Sequence, residues 1–179
     1  MAELKKERWT DYLAITTVII AVCATLSTFK GGGYSTKSLM NQTQASDQWS
    51  FYQAKSMKGY MFQMQKDNLE IERATVAETK ASSELLLKYD NKIADCTKKI
   101  DKYEKEQADI KVKAAKFESD RDDCKLHSTE FGIAVIFLQI SILLSSIAAL
   151  SKKKFVWYFS ICLGLIGIVY FIDGFFLFF

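Results

Sequence analysis

Asp173 asks more of its surroundings than any other residue in this chain, because it is an ionisable group inside an apolar run that extends from Phe155 to Phe179. A carboxylate isolated in hydrocarbon is strongly disfavoured, so such a residue pairs with a cation, faces a protected interior or serves an ion or proton path. Lys30, just beyond the first apolar run, is expected at the same depth. Lys30 and Asp173 are therefore the candidate intramembrane ion pair, within one chain or between neighbours, and an ion or proton pathway is the alternative. The single histidine, His127, precedes the second apolar run. Zinc hydrolase sites, Cys-His pairs and Ser-His-Asp triads each need more partners than it is offered, and it reads as an interfacial polar residue. Cys23, Cys96, Cys124 and Cys162 show no C-x-x-C spacing, so no metal or redox site follows. Gly31, Gly32 and Gly33 precede Tyr34, Ser35 and Thr36, but the phosphate-loop order G-x-x-x-x-G-K-[ST] is absent and no strand comes before them. The expectation is a protein that is not an enzyme and has no cofactor.

The elements that must place these residues follow from the distribution of charge. Mean hydropathy is zero, but only as the average of two unlike parts. Between Lys30 and Glu130, eighteen Lys and Arg face seventeen Asp and Glu, whereas Tyr12 to Phe29, Phe131 to Leu150 and Phe155 to Phe179 are almost purely apolar. Runs of this length can cross a bilayer core of about 30 Å, so three transmembrane helices are predicted. An uncleaved signal anchor suits the first better than a signal peptide, since no A-x-A site ends it. Basic flanks set the orientation: Lys5, Lys6 and Arg8 before the first span, and Lys152, Lys153 and Lys154 between the second and third. Both flanks are assigned to the cytoplasm, with Trp9, Tyr12, Trp157 and Tyr158 in the interfacial belt there. The region between the first two spans and the C-terminus then lie on the other face, which is the periplasm if the source is a Gram-negative bacterium.

In that intervening region a heptad ladder runs through Tyr89, Cys96, Tyr103, Ile110, Phe117, Cys124 and Phe131, with Leu86, Ile93, Ile100, Gln107 and Ala114 as the offset set. The register continues into the second apolar run, so one helix is expected to begin in water and end in lipid. Upstream, Trp49, Phe51, Tyr52, Met57, Tyr60, Met61, Met64 and Ile71 recur at helical spacing and are expected to pack on that ladder. Ser82 or Ser83 is a suitable N-cap before Leu85, which places the reversal near 79–84. With about 45 residues per arm, an antiparallel hairpin would reach roughly 65 Å. The glycine run is expected to end the first helix, since each glycine is about 1 kcal/mol less favourable than alanine there.

The fold class is thus an all-α membrane protein of three transmembrane helices plus an extramembrane antiparallel coiled-coil hairpin. Residues 1–30 form the cytoplasmic flank and first span, 31–130 the hairpin, and 131–179 the other two spans and their basic loop. Gln139, Ser141, Ser145 and Ser146, with Gly164 and Gly167, suit either helix packing or a pore lining. Cys96, Tyr103, Ile110, Phe117 and Cys124 form the candidate oligomer seam. In a parallel bundle Cys96 would meet Cys96 and Cys124 would meet Cys124, whereas within one chain these two stand about 42 Å apart along the helix.

Leu26 to Thr36 (LSTFKGGGYST), Gln44 to Ser56 (QASDQWSFYQAKS) and Tyr170 to Phe176 (YFIDGFF) resemble the bacterial membrane family known as domain of unknown function 4337. The resemblance covers essentially the whole chain and implies a bacterial inner-membrane protein, with no activity attached. From the residues themselves, the leading expectation is a structural or interaction protein: a membrane-anchored homo-oligomer presenting a stalk to a protein partner. A small channel or accessory transport subunit is the alternative. Near-neutral charge along the arm excludes a nucleic-acid role, which leaves the bilayer and a second copy as the expected partners.

Overall fold

The computed structural model describes residues 8–79 and 82–178. Those residues form three helices, α1 (Arg8–Glu78), α2 (Ser83–Ser151) and α3 (Lys154–Phe176). The chain is all-helical, and each helix contains a stretch long and apolar enough to cross a membrane. Absence of proline removes the commonest cause of helix interruption. Two of the lysines used to orient the chain, Lys5 and Lys6, lie outside the described residues.

Helix boundaries fall where local chemistry demands a turn, with one exception. α1 and α2 separate between Glu78 and Ser83, within the expected reversal, of which Lys80 and Ala81 lie outside the described residues. The Ser82 carbonyl accepts the amides of Leu85 at 2.9 Å and Leu86 at 3.4 Å, as an N-cap residue does. α2 stops at Lys152, whose φ of 55° is left-handed. Lys153 is extended, and its carbonyl accepts the Val156 amide to start α3. The exception is the glycine run: α1 does not end at Gly31–Gly33 but continues through it. A Cβ on Gly31 would lie 3.0 Å from Phe131 Cβ, so close approach of α2 needs this glycine, whereas Gly32 and Gly33 face open space. Propensity loses here to cooperative extension of a helix held from both sides of the run.

The chain divides into two compact units, residues 1–40 with 120–179, and residues 41–119. The division lies inward of the expected boundaries at 30 and 130. Turns beyond the apolar runs belong with the first unit, because Ser128 Oγ donates to the Gly31 carbonyl at 3.1 Å and Ser38 Oγ to the Arg121 carbonyl at 3.1 Å.

In the first unit, α2 buries Phe131, Ala134, Leu138, Ser141, Ser145 and Ala148, alternating by three and four residues. That is the a/d pattern of a coiled-coil seam written largely in small side chains. α3 answers with Ser160, Gly164, Gly167 and Gly174, all buried. Cβ atoms on these glycines would stand 2.9 Å from Ser141 Oγ, 2.7 Å from Leu138 Cγ and 2.9 Å from the Phe131 ring, respectively. α1 contributes Ile20 and Ala24 to the Leu138 cluster, and Trp9 and Leu13 to a second cluster with Ala148, Val156 and Trp157.

In the second unit, α1 and α2 run antiparallel, as successive pairs show. Trp49 Nε1 donates to Glu118 Oε1 at 2.8 Å, Lys55 pairs with Glu106 at 2.7 Å, Phe62 stacks on Tyr103 at 5.8 Å, and Arg73 grips Asp90 through two nitrogens. Ala45, Cys96 and Ala114 are buried between them.

Opposite outcomes are expected for two glycine substitutions. Gly33→Ala, in open space, should raise helix stability by up to about 1 kcal/mol, while Gly167→Ala, driven into Leu138, should lower it by about 1–3 kcal/mol. Thermal melts in detergent followed by circular dichroism measure both.

Candidate functional site

Two gatherings of polar side chains in the first unit join different helices. At the first, His127 on α2 is held by all three helices. Its Nδ1 lies 2.8 Å from the Gly174 carbonyl of α3, and because a carbonyl only accepts, Nδ1 carries the proton. Tyr34 of α1 stacks on the imidazole at 4.5 Å and lies 6.0 Å from Phe131. Nε2 is turned toward Asp123, 3.9 Å away on the preceding turn. Phe131 meets Phe171 and Phe175 edge-on, at 6.0 and 5.0 Å.

Asp173 lies beside this cluster, 1% exposed. Its Oδ1 accepts the Phe178 amide at 2.6 Å, and its backbone carbonyl accepts the Leu177 amide at 2.7 Å. Leu177 takes the left-handed conformation that turns the chain back. The carboxylate thus satisfies backbone at the end of α3. Within one chain the expected pair with Lys30 is not formed: Lys30 is exposed, and its ammonium lies 5.8 Å from the centroid of the Phe175 ring. An aromatic face offers a cation electrostatic attraction without drawing it into the core, and the long aliphatic stem lets the charge stay outside.

The second gathering is a closed serine network. Ser141 Oγ donates to the Ser160 carbonyl at 2.7 Å, Ser160 Oγ to the Ser141 carbonyl at 3.0 Å, and the Ser145 and Ser160 hydroxyls are 2.6 Å apart. All three side chains are fully buried, and every hydroxyl hydrogen has an acceptor if Ser145 donates to Ser160. Gln139 and Ser146, grouped with them by sequence, are exposed, and Ser146 bonds back to the Ile142 carbonyl. Ser160 escaped notice in the sequence because one serine in an apolar run has no local signal; its small-residue spacing with Gly164 and Gly167 was the available clue. Tyr34 likewise required knowing which turns of α1 and α2 face each other.

The candidate oligomer seam is turned inward. Tyr103 is stacked on Phe62 of the same chain, and Cys96 and Cys124 are 5% and 2% exposed. Ile110 and Phe117 are half-buried. Within one chain the ladder is covered by α1. All four cysteines are free thiols. Nor does the aromatic and methionine stripe pack on the ladder as one body. Trp49, Tyr52 and Phe62 are half-buried, while Phe51, Met57, Tyr60, Met61, Met64 and Ile71 are exposed. Among the described residues, no three His, Cys, Asp or Glu side chains converge to hold a metal.

The ion pair between Lys55 and Glu106 shifts both partners. Its hydrogen bond holds the Glu106 carboxyl below the ordinary glutamate range and lifts the Lys55 ammonium above the ordinary lysine range. A depressed carboxylate contributes stability that is present above its unfolded pKa and lost as pH falls through the folded one. A raised ammonium contributes stability that is lost as pH rises through its folded value. Lys55→Gln should therefore melt below the parent protein at neutral pH. The two should converge below the glutamate range and again above the lysine range, as a pH series of melts would reveal.

No curated protein and no solved structure matches this chain. A family model, domain of unknown function (DUF4337), matches residues 9–177. With nearly the whole chain covered, from Trp9 past the Asp173 turn, the protein belongs to the DUF4337 family.

Proposed function

We propose that this protein is a membrane-anchored structural or interaction protein. Its three apolar helical stretches form a multi-pass anchor, and residues 41–119 form a coiled-coil hairpin that presents a helical surface in water. The observation that carries this reading is the closed serine network within the apolar unit. Ser141, Ser145 and Ser160 bond to one another with no exposed surface, and glycines bring the helices too close for a lumen. Side chains arranged this way act as glue between helices. A groove of about 630 Å³ lined by Thr28, Lys30, Gly32, Gly33 and Lys37 opens outward instead of through the unit. The channel alternative draws on Asp173, but the hydrogen bond from Phe178 gives that carboxylate a structural task at the helix end.

Orientation follows from the basic and aromatic residues. Trp9 and Trp157 lie 6.2 Å apart, beside the exposed Lys152, Lys153 and Lys154. Clustered tryptophan next to lysine is the signature of an interface, and short basic flanks are retained in the cytoplasm. On this reading the protein is a multi-pass inner-membrane protein with a cytoplasmic N-terminus, and the hairpin and C-terminus lie on the far side.

Purified protein in liposomes should pass no ions under an imposed gradient, with Asp173→Asn indistinguishable from the parent. A flux abolished by that substitution would establish the channel instead. Reporter fusions at Ser83 and Lys153 should report opposite compartments, and the same compartment for both would overturn the orientation.

A further inference from the structure

The second unit contains two helices whose outward faces could hardly differ more. Where α2 turns away from α1, the positions at alternating three- and four-residue spacing include Lys88, Asp95, Lys98, Lys102, Lys105 and Asp109, broken only by Asn91. That is the ordinary solvated back of a two-helix coiled coil. The matching positions on α1 are Ala54, Met57, Met61, Met64, Asn68 and Ile71. All six are exposed, with Met57 at 66%, Met61 at 62%, Met64 at 64% and Ile71 at 67%. The spacing of this set is three, four, three, four, three, which is the seam of a second coiled coil. It lies opposite the face already occupied by Gln48, Tyr52, Lys55, Gly59, Phe62, Lys66 and Leu69, which are half-buried against α2.

We infer that the outward face of α1 between Ala54 and Ile71 is a docking seam for the same face of a second copy of this chain, in parallel and in register. Three features select that occupant. A 3.5-residue repeat of apolar positions fits a helix as its partner, since only another helix interdigitates with it along its length. A parallel, two-fold contact brings each residue against its own duplicate, so any charge on the face would meet a like charge. The α1 set carries none, whereas on the α2 face six of seven positions would repel their duplicates. Asn68 is the one strongly polar member. An asparagine within an apolar seam bonds best to an asparagine at the same level, which penalises every shifted register. Anchorage in one membrane would impose the parallel direction. The inference rests on the membrane-anchored reading for that direction alone, and it moves self-association from the Cys96 ladder, covered within the chain, to the methionine face.

The test uses the full chain in native membranes and purified in nanodiscs. In a Cys162→Ser background, which removes the one exposed native thiol, Met64→Cys treated with copper phenanthroline should give a disulfide-linked species of twice the chain's mass, while Lys102→Cys on α2 and the Cys162→Ser parent should not. Met57→Lys with Met64→Lys should reduce the native mass to one chain without loss of helical circular dichroism, and Asn68→Leu should let Met57→Cys crosslink to Met64→Cys in mixed samples. A dimer that survives the double lysine substitution, or crosslinks through Lys102→Cys instead, overturns the assigned face but leaves the anchored interaction protein standing. A native mass of one chain for the parent overturns the second copy as occupant, as does a Met64→Cys adduct of any other mass. Ion flux or a failed fusion topology would instead remove the membrane-anchor reading, which these crosslinks do not probe.

Discussion

The closeness with which α3 can approach α2 is the constraint on which the apolar unit depends. Within a bilayer no hydrophobic drive brings apolar helices together, because lipid is as apolar as leucine, and association relies on packing and hydrogen bonds. Gly164, Gly167 and Gly174 remove side chains at three levels of the same face, and Ser141, Leu138 and Phe131 fill the space opposite each. Contact at that range is what lets Ser160 and Ser141 exchange hydrogen bonds with each other's carbonyls. The same approach brings the Gly174 carbonyl to His127 and fixes the imidazole beneath Tyr34. Loss of one glycine would therefore reach both the serine network and the aromatic cluster.

Much of this was legible from periodicity and charge. The three apolar runs, the break between Glu78 and Ser83 and the ladder on α2 all follow from patterns local to one helix. Its d positions keep their phase through Cys124, Phe131, Leu138 and Ser145, all buried within the first unit. What could not be read is which face meets which neighbour. A ladder records that a helix has an apolar side but not whether its own chain or another copy covers it. Cys96 and Tyr103 meet α1 of their own chain, while Met57, Met61 and Met64 are left exposed. The glycine run misled differently: propensity is a property of isolated turns, while Gly31 is set by Phe131 on another helix.

Asp173 and Lys30 are not paired within one chain, and each has its own compensation there. A buried carboxylate needs compensation, and at the end of α3 the Phe178 amide supplies a donor to it. Leu177 in the left-handed conformation delivers the Phe178 N–H to Oδ1. A hydrogen bond from backbone at 2.6 Å requires no second charge to be drawn out of water. Lys30 keeps its ammonium outside over the edge of an aromatic cluster, which satisfies its preference more cheaply than burial beside an acid.

The two outward faces of the second unit carry the argument one step further, because they provide an internal comparison. Both helices contribute segments of similar length to the same unit, and in the proposed aqueous setting both have the same need to remain hydrated. α2 meets that need with Lys98, Lys102 and Lys105 on its back, and α1 places Met57, Met61 and Met64 at the equivalent levels. Scattered apolar residues on a surface need no explanation, but a continuous stripe at seam spacing does. Methionine is also the side chain best able to fit an imperfect mating surface, being unbranched and polarisable. The inner face of α1 mixes Tyr52, Phe62 and Leu69 with Lys55 and Lys66 and is accounted for by its hairpin partner, whereas the more uniformly apolar outer face is the one for which a second copy is proposed.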